Sequence, residues 1–188
     1  MDNKIYELLV DRGAIMEGHF VLTSGLHSNK YVEKFRILEN PESLGVICKA
    51  MADKYRGANV DIVVSAAIGG ILISSGVAKE LGVKGIFCER VGGEMLFKRG
   101  FSIPKGSNVL VVEDIVTTGG SIKEILKILD TLNVNLVSVC TLAHRGAPIE
   151  FGCGYDTLVN IDIETWEESQ IPDWLAQIPI TKPGSTGK

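Results

Sequence analysis

Val109–Ser121 reads VLVVEDIVTTGGS, and the organisation of the chain can be worked outward from it. Four apolar residues, Val109–Val112, carry the chain to the end of a strand that is apolar on both faces, as strands of a helix-covered parallel sheet are. Two adjacent acids, Glu113 and Asp114, stand at that end; the loop Ile115–Gly120 follows, and Ser121 is expected to open a helix. Ser121 and Glu124 have the S-x-x-E spacing of a capping box. Ile122, Ile125, Leu126, Leu129 and Leu132 supply the buried stripe of that helix.

The chemistry follows from the residue types. Thr117, Thr118, Gly119, Gly120 and Ser121 bring backbone N–H groups and hydroxyls to a helix N-terminus, a site suited to a phosphate monoester. The two glycines let the backbone come close without a Cβ in the way. Each hydrogen bond to a charged oxygen contributes about 1.5–3 kcal/mol, so several hold the group firmly. Two acids beside an anion cradle make no sense for phosphate alone. They suit the hydroxyls of a sugar, held directly or through a divalent metal. A glycine-rich turn or a pair of acids is common by itself in α/β chains; their conjunction carries the reading.

The same short apolar run recurs in VDIVVS (60–65), KGIFCE (84–89), NVLVVE (108–113), NLVSVCTLA (135–143) and DTLVNID (156–162). Between these lie ILISSGVAKELG (71–82) and SIKEILKILDTLN (121–133), both with helical spacing. The alternation predicts an α/β fold, an open, twisted, mainly parallel sheet with flanking helices and right-handed crossovers. Ligands of such sheets sit beyond the carboxyl ends of the strands. Nearer the N-terminus, residues 2–12 suit a helix capped by Asp2 or Asn3 and stopped by Gly13. Asn40–Pro41 opens another, with Leu44, Ile47, Cys48, Met51 and Tyr55 as its stripe. Residues 18–38 mix apolar residues with turn formers and suit short strands outside the main sheet. The Pro/Gly/Ser-rich tail after Ile178 reads as partly disordered.

The bulk numbers agree with this picture. A chain of 188 residues fits one domain and buries roughly 70% of its unfolded surface, enough to fold without a staple. A net charge of −4 argues against nonspecific binding to nucleic acid or an anionic membrane. The four cysteines are scattered, and Cys48, Cys88 and Cys140 sit in apolar runs, as reduced thiols do. No apolar run approaches the roughly 18 residues of a membrane span. MDNKIYELLVDRG is a charged amphipathic start rather than a signal peptide, so a soluble, cytoplasmic protein is expected. The patterns GxxxxGK[ST] and GxGxxG are absent, which disfavours nucleoside triphosphates and NAD as ligands.

VLVVEDIVTTGGS resembles the signature with which type I phosphoribosyltransferases bind 5-phosphoribosyl 1-diphosphate (PRPP). The resemblance implies that Glu113 and Asp114 hold the ribose hydroxyls. It implies too that Ile115, Val116, Thr117, Thr118, Gly119, Gly120 and Ser121 form the 5′-phosphate loop. Mg2+ is the implied cofactor, bound mainly through PRPP, with Glu113 and Asp114 as candidates for contact and no dedicated protein site. GHFVLTSGLHSNKYVEK (18–34), SAAIGGILISSGVAKELG (65–82), FCERVGGEMLFKRGF (87–101) and LAHRG (142–146) narrow the likeness. They are similar to segments of bacterial and archaeal orotate phosphoribosyltransferases. That branch implies a single domain over residues 1–188, with a small hood from about 14–38 and part of the C-terminal region. It also implies a homodimer that converts orotate and PRPP to orotidine 5′-phosphate and diphosphate in pyrimidine synthesis.

Residue roles carry over position by position. Ala66, Ala67, Ile68, Gly69 and Gly70 correspond to the diphosphate loop, where a cis Ala67–Ile68 peptide is expected. Arg145 corresponds to the arginine that grips the orotate carboxylate, and Thr117 to the loop threonine on the same base. Tyr31 and Lys34 of the hood are further candidates for the base, by ring packing and charge. Arg90, Lys98 and Arg99 are the catalytic candidates for meeting the diphosphate, across a dimer interface as the family implies. There are departures. Some relatives have a long mobile loop rich in Lys and His where Arg90–Arg99 is short; some have Lys at the positions of Thr23 and Gly69. A CPxC-like C-terminal pattern is missing. His19, His27 and His144 form no catalytic grouping and read as surface or packing residues. The readings left open are a purine-base phosphoribosyltransferase, a noncatalytic PRPP-sensing regulator, and one half of a two-enzyme complex.

Overall fold

The computed structural model describes residues 3–22 and 24–181; the candidate caps (Asp2 and the Asn3 side chain), Thr23 and the tail 182–188 lie outside the described residues. Helix α1 (Asn3–Asp11) buries Ile5 and Leu9 and is followed by Gly13 at φ +67°, a left-handed turn that glycine takes without penalty. Strands β1 (Ile15–Val21) and β2 (His27–Val32) run antiparallel, and the short α2 (Phe35–Leu38) leads into α3 (Pro41–Asp53). Asn40 caps α3, its side-chain oxygen accepting the Ser43 N–H at 2.9 Å, and Pro41 takes the first helical position.

The α/β alternation then unfolds as β3 (Ile62–Ala66), α4 (Gly69–Leu81), β4 (Lys84–Val91), β5 (Glu94–Phe97), β6 (Asn108–Val116), α5 (Gly120–Thr131), β7 (Asn135–His144) and β8 (Tyr155–Asn160). Six strands form one sheet in the order β5-β4-β3-β6-β7-β8, parallel except for β5. Successive residues of β6 feed opposite cores, as the period of two requires. Leu110 and Val112 pack toward the Ile47, Met51, Ile73 and Val77 face; Val109 and Val111 pack toward Ile122, Ile125 and Leu129. The helices thus cover both faces of the sheet.

A second sheet of four strands, β10-β1-β2-β9, stands apart as the hood. Its outer members come from the C-terminal region: β9 (Thr165–Trp166) pairs with β2, and β10 (Ile180–Thr181), reached through the short α6 (Asp173–Ala176), pairs with β1. His19 and His27, both buried, share a hydrogen bond of 2.7 Å, and the other ring nitrogen of His19 meets the Ile178 carbonyl at 3.1 Å. These histidines pin the C-terminal segment to the hood. Cys48, Cys88 and Cys140 are free and buried, and burial pushes each thiol up to about 12.

Two elements differ from the sequence reading. Strand β6 runs on through Glu113 and Asp114 to Val116, because the β7 backbone pairs with it as far as Val116–His144 whatever the side chains. The connection Arg90–Arg99 is also no simple loop. β4 and β5 form a hairpin across Gly92 and Gly93, at φ +60° and +91°, a turn that non-glycine residues resist. Gly85 on β4 shows how closely the layers meet, since a Cβ there would lie 2.8 Å from the Ser74 carbonyl oxygen of α4. We expect Gly85→Ala to destabilise the fold by about 1–3 kcal/mol, measured by urea unfolding.

Candidate functional site

The carboxyl ends of β3 and β6 deliver the chain to one cleft of about 340 Å³. Its lining runs from Ala66 to Gly69 on one side and from Glu113 through Ser121 on the other, with Lys34, Arg90 and Glu124 at the margin. The register explains the meeting. Val64 pairs with Val111, so the residues just beyond β3 stand level with the two acids. Ala66, Ala67, Ile68 and Gly69 therefore face Glu113, Asp114, Ile115, Val116, Thr117, Thr118, Gly119, Gly120 and Ser121 directly. The Ala67–Ile68 peptide is cis, the conformation expected of this loop.

Two helices begin at this cleft, and neither has a side-chain cap. Ile68 stands at the cap position of α4 and Gly119, at φ +74°, at that of α5. The capping box expected at Ser121 and Glu124 is not formed. The helix starts at Gly120, ahead of Ser121, and the Glu124 carboxylate is drawn to Arg90 at 2.9 Å. The first N–H groups of both helices thus remain available to an anion, with the positive ends of two helix dipoles behind them. Phe151 backs the second loop so closely that a Cβ on Gly119 would lie 2.8 Å from its ring.

The acids lie deep in this surround. Glu113 is 8% exposed and Asp114 2%. A Cβ at Gly70 would come within 2.8 Å of Glu113 Oε1, and one at Gly69 would overlap Asp114 Oδ2. Glycine at 69 and 70 therefore lets both carboxylates rest against the start of α4, and Lys34 reaches Asp114 Oδ2 at 2.8 Å. Burial, joined by the charge of Asp114, pushes the Glu113 carboxyl up to about 7, against hydrogen bonds from the Asp114 and Ala66 backbones and the charge of Lys34.

A second cleft adjoins the first. Thr117 and Thr118 line both, and Arg145, Lys123, Leu22, Ile163 and Thr165 join them in the second. Val116 pairs with His144, and the Arg145 N–H donates to the Val116 carbonyl at 2.9 Å, which sets Arg145 beside Thr117. Leu22 and Thr165 bring the hood to the rim. Lys123, one turn into α5, gives this cleft a second cation that went unread, as did Leu22, Ile163 and Thr165; nothing but the fold brings them together.

The remaining candidates separate. Arg90 lines the first cleft, bound to Glu124 and to the Gly93 carbonyl at 2.8 Å. Lys98 and Arg99 do not line either cleft of their own chain; Arg99 grips Glu89 at 2.9 Å. Lys34 lies on the acid pair rather than in the second cleft. Tyr31 packs its ring against Phe20 within the hood, 5.7 Å between centroids, and lines neither cleft.

Comparison with known proteins agrees with the geometry. The phosphoribosyl transferase domain family matches residues 35–171. Orotate phosphoribosyltransferase of Thermoanaerobacter sp. (strain X514) is 39% identical over 97% of this chain and 96% of its own. That of Thermotoga maritima is 40% identical over 97% and 98%. The solved orotate phosphoribosyltransferase of Aeropyrum pernix superposes with a TM-score of 0.69 at 26% identity, over 82% of this chain and 93% of that one. The chain belongs to the phosphoribosyltransferase family, and its full-length relatives place it among the orotate phosphoribosyltransferases.

The raised Glu113 carboxyl has a measurable consequence. The folded protein holds that proton more tightly than the unfolded chain, whose ordinary value is 4.5. The stabilisation is therefore full below about 4.5 and is lost as pH rises through about 7. Urea unfolding without added ligand is expected to show stability falling between pH 5 and 8, by up to about 3 kcal/mol from this group. Glu113→Gln should flatten that part of the profile.

Proposed function

We propose that the chain transfers the phosphoribosyl group of PRPP to orotate, giving orotidine 5′-phosphate and diphosphate in de novo pyrimidine synthesis. One observation carries the reading. A cleft made of a buried acid pair and two uncapped helix starts opens onto a second cleft in which Arg145 and Thr117 lie side by side. The first has the chemistry of a sugar with phosphates at both ends, the second that of a planar base bearing a carboxylate.

Glu113 and Asp114 accept the ribose hydroxyls and fix the ring. The N–H groups of Thr118–Ser121 at the start of α5 hold the 5′-phosphate, while those of Ile68–Gly70 at the start of α4, with Arg90, receive the diphosphate; the Ala67 N–H is already given to the Cys88 carbonyl at 2.8 Å. Arg145 takes the orotate carboxylate in a two-pronged grip and turns N1 of the ring toward the anomeric carbon. As the bond from that carbon to the diphosphate oxygen lengthens, positive charge develops on the ribose beside the two carboxylates. Negative charge collects on the leaving group at the helix start. The charge of orotate lies on its carboxylate, so N1 sheds its proton as the N–C bond forms, and the departing diphosphate is the base that takes it; the rest of the acceleration comes from position and charge.

Mg2+ fits this arrangement as an ion carried by the substrate. The two carboxylates match the one or two that Mg2+ takes from a protein when phosphates supply the rest. Held by Glu113 or Asp114 together with the phosphates of PRPP, the ion would supply positive charge against the departing diphosphate. The reading includes a homodimer in the cytoplasm, in which Lys98 and Arg99, lying outside the clefts of their own chain, serve the diphosphate of the partner. No helix among the described residues is long and apolar enough to cross a membrane.

The test is nucleotide formation with Mg2+ and PRPP over a panel of orotate, adenine, hypoxanthine and xanthine. Turnover with orotate alone is expected; turnover with a purine instead would overturn the assignment. Arg145→Ala should raise the KM for orotate about 100-fold, since a carboxylate is left without its donor, and shift PRPP affinity by no more than a few-fold.

A further inference from the structure

Lys34 joins the two sheets at the cleft. It follows β2 of the hood and precedes α2, whose Ile37 and Leu38 are buried in the main core. Its ammonium ion-pairs with Asp114 at 2.8 Å, on a carboxylate side chain 3% exposed, while its own side chain is 35% exposed. The same nitrogen would lie 3.3 Å from a Cβ on Gly69, the first residue of α4. Lys34 thus touches both halves of the first cleft and takes no part in the second, where Arg145 stands.

Two demands meet at Asp114. A buried carboxylate needs an ion partner or several donors, and in the structure Lys34 is that partner. Ribose hydroxyls seated on Asp114 compete for the same oxygens. Hydroxyls and lysine are unequal in mobility: the ribose is held at both ends, whereas the ammonium rides on a flexible four-carbon stem at the rim. Displaced from Asp114, it meets the α4 start that it already borders, where the diphosphate is received.

We propose that Lys34 changes partner when PRPP binds, leaving Asp114 for the diphosphate, and is a diphosphate-binding residue rather than one that touches the base. The proposal rests on the PRPP reading above. It accounts for a lysine that, besides pairing with Asp114, borders the first residue of α4.

Two ligands separate the roles. Ribose 5-phosphate presents the hydroxyls and the 5′-phosphate without the diphosphate; PRPP presents all three. Calorimetric titration of the full chain with each, in Mg2+, is compared for the unaltered protein, Lys34→Met and Lys34→Arg. Lys34→Met should weaken PRPP roughly 10- to 100-fold, the loss of one charge-assisted contact. It should hold ribose 5-phosphate as tightly as the unaltered chain or more tightly, because no ammonium has to be displaced. Lys34→Arg should recover most of the PRPP affinity. Equal losses for both ligands would mean that Lys34 only organises Asp114, and an unchanged PRPP affinity would remove it from the diphosphate site; either overturns the proposal. Failure of the unaltered chain to bind PRPP is a distinct result, which brings down the PRPP reading and this inference with it.

Discussion

The site depends on how closely Glu113 and Asp114 approach Gly69 and Gly70. Two buried carboxylates side by side repel one another and lose their water, a combination that a fold tolerates only with compensation. Here the compensation comes from the Asp114 and Ala66 N–H groups and the Lys34 ammonium, beside the start of α4. The acids reach it because residues 69 and 70 have no Cβ: at Gly69 that atom would coincide with the Asp114 carboxylate, and at Gly70 it would crowd Glu113. Substituting either glycine strikes at the acids before it strikes at the loop. Even so the compensation is partial, as the upward displacement of the Glu113 carboxyl to about 7 records.

A site for an anionic sugar phosphate must keep cations in place and backbone donors unpaired before the ligand arrives. The molecule meets this with separate partners. Arg90 is held by Glu124 and the Gly93 carbonyl, Lys34 by Asp114, and Arg145 lies in the second cleft. The N–H groups of α5 are spared because Glu124 bends to Arg90 instead of folding back to cap its own helix. One carboxylate therefore does the opposite of what its spacing from Ser121 suggests: it leaves the phosphate end of the helix open.

Much of this was legible in one dimension. The apolar run, the acids and the glycine turn of Val109–Ser121 identify a strand meeting a helix at a sugar-phosphate site, because strand period, acid adjacency and glycine freedom are properties of local sequence. The alternation from Val60 onward predicts the parallel sheet for the same reason. The hairpin of β4 and β5 is signalled in the sequence only by Gly92–Gly93, a recognised two-residue turn, and the basic residues around it have the composition of a loop. The end of β6 is not legible in the sequence, because side-chain polarity marks where a strand leaves the core, whereas pairing with β7 decides where it ends.

By itself, then, the amino-acid order determined the class of fold, the phosphate turn, the acid pair and the need for small residues beside them, all of which arise from neighbours in the chain. Tertiary structure alone decided what depends on register and on side-chain direction: that Arg145 stands beside Thr117, that Lys123 enters the second cleft, that Glu124 serves Arg90, and that Lys34 faces Asp114. Lys34 and Asp114 are far apart along the chain, and only the docking of the hood on the main sheet brings an ammonium of one within reach of a carboxylate of the other.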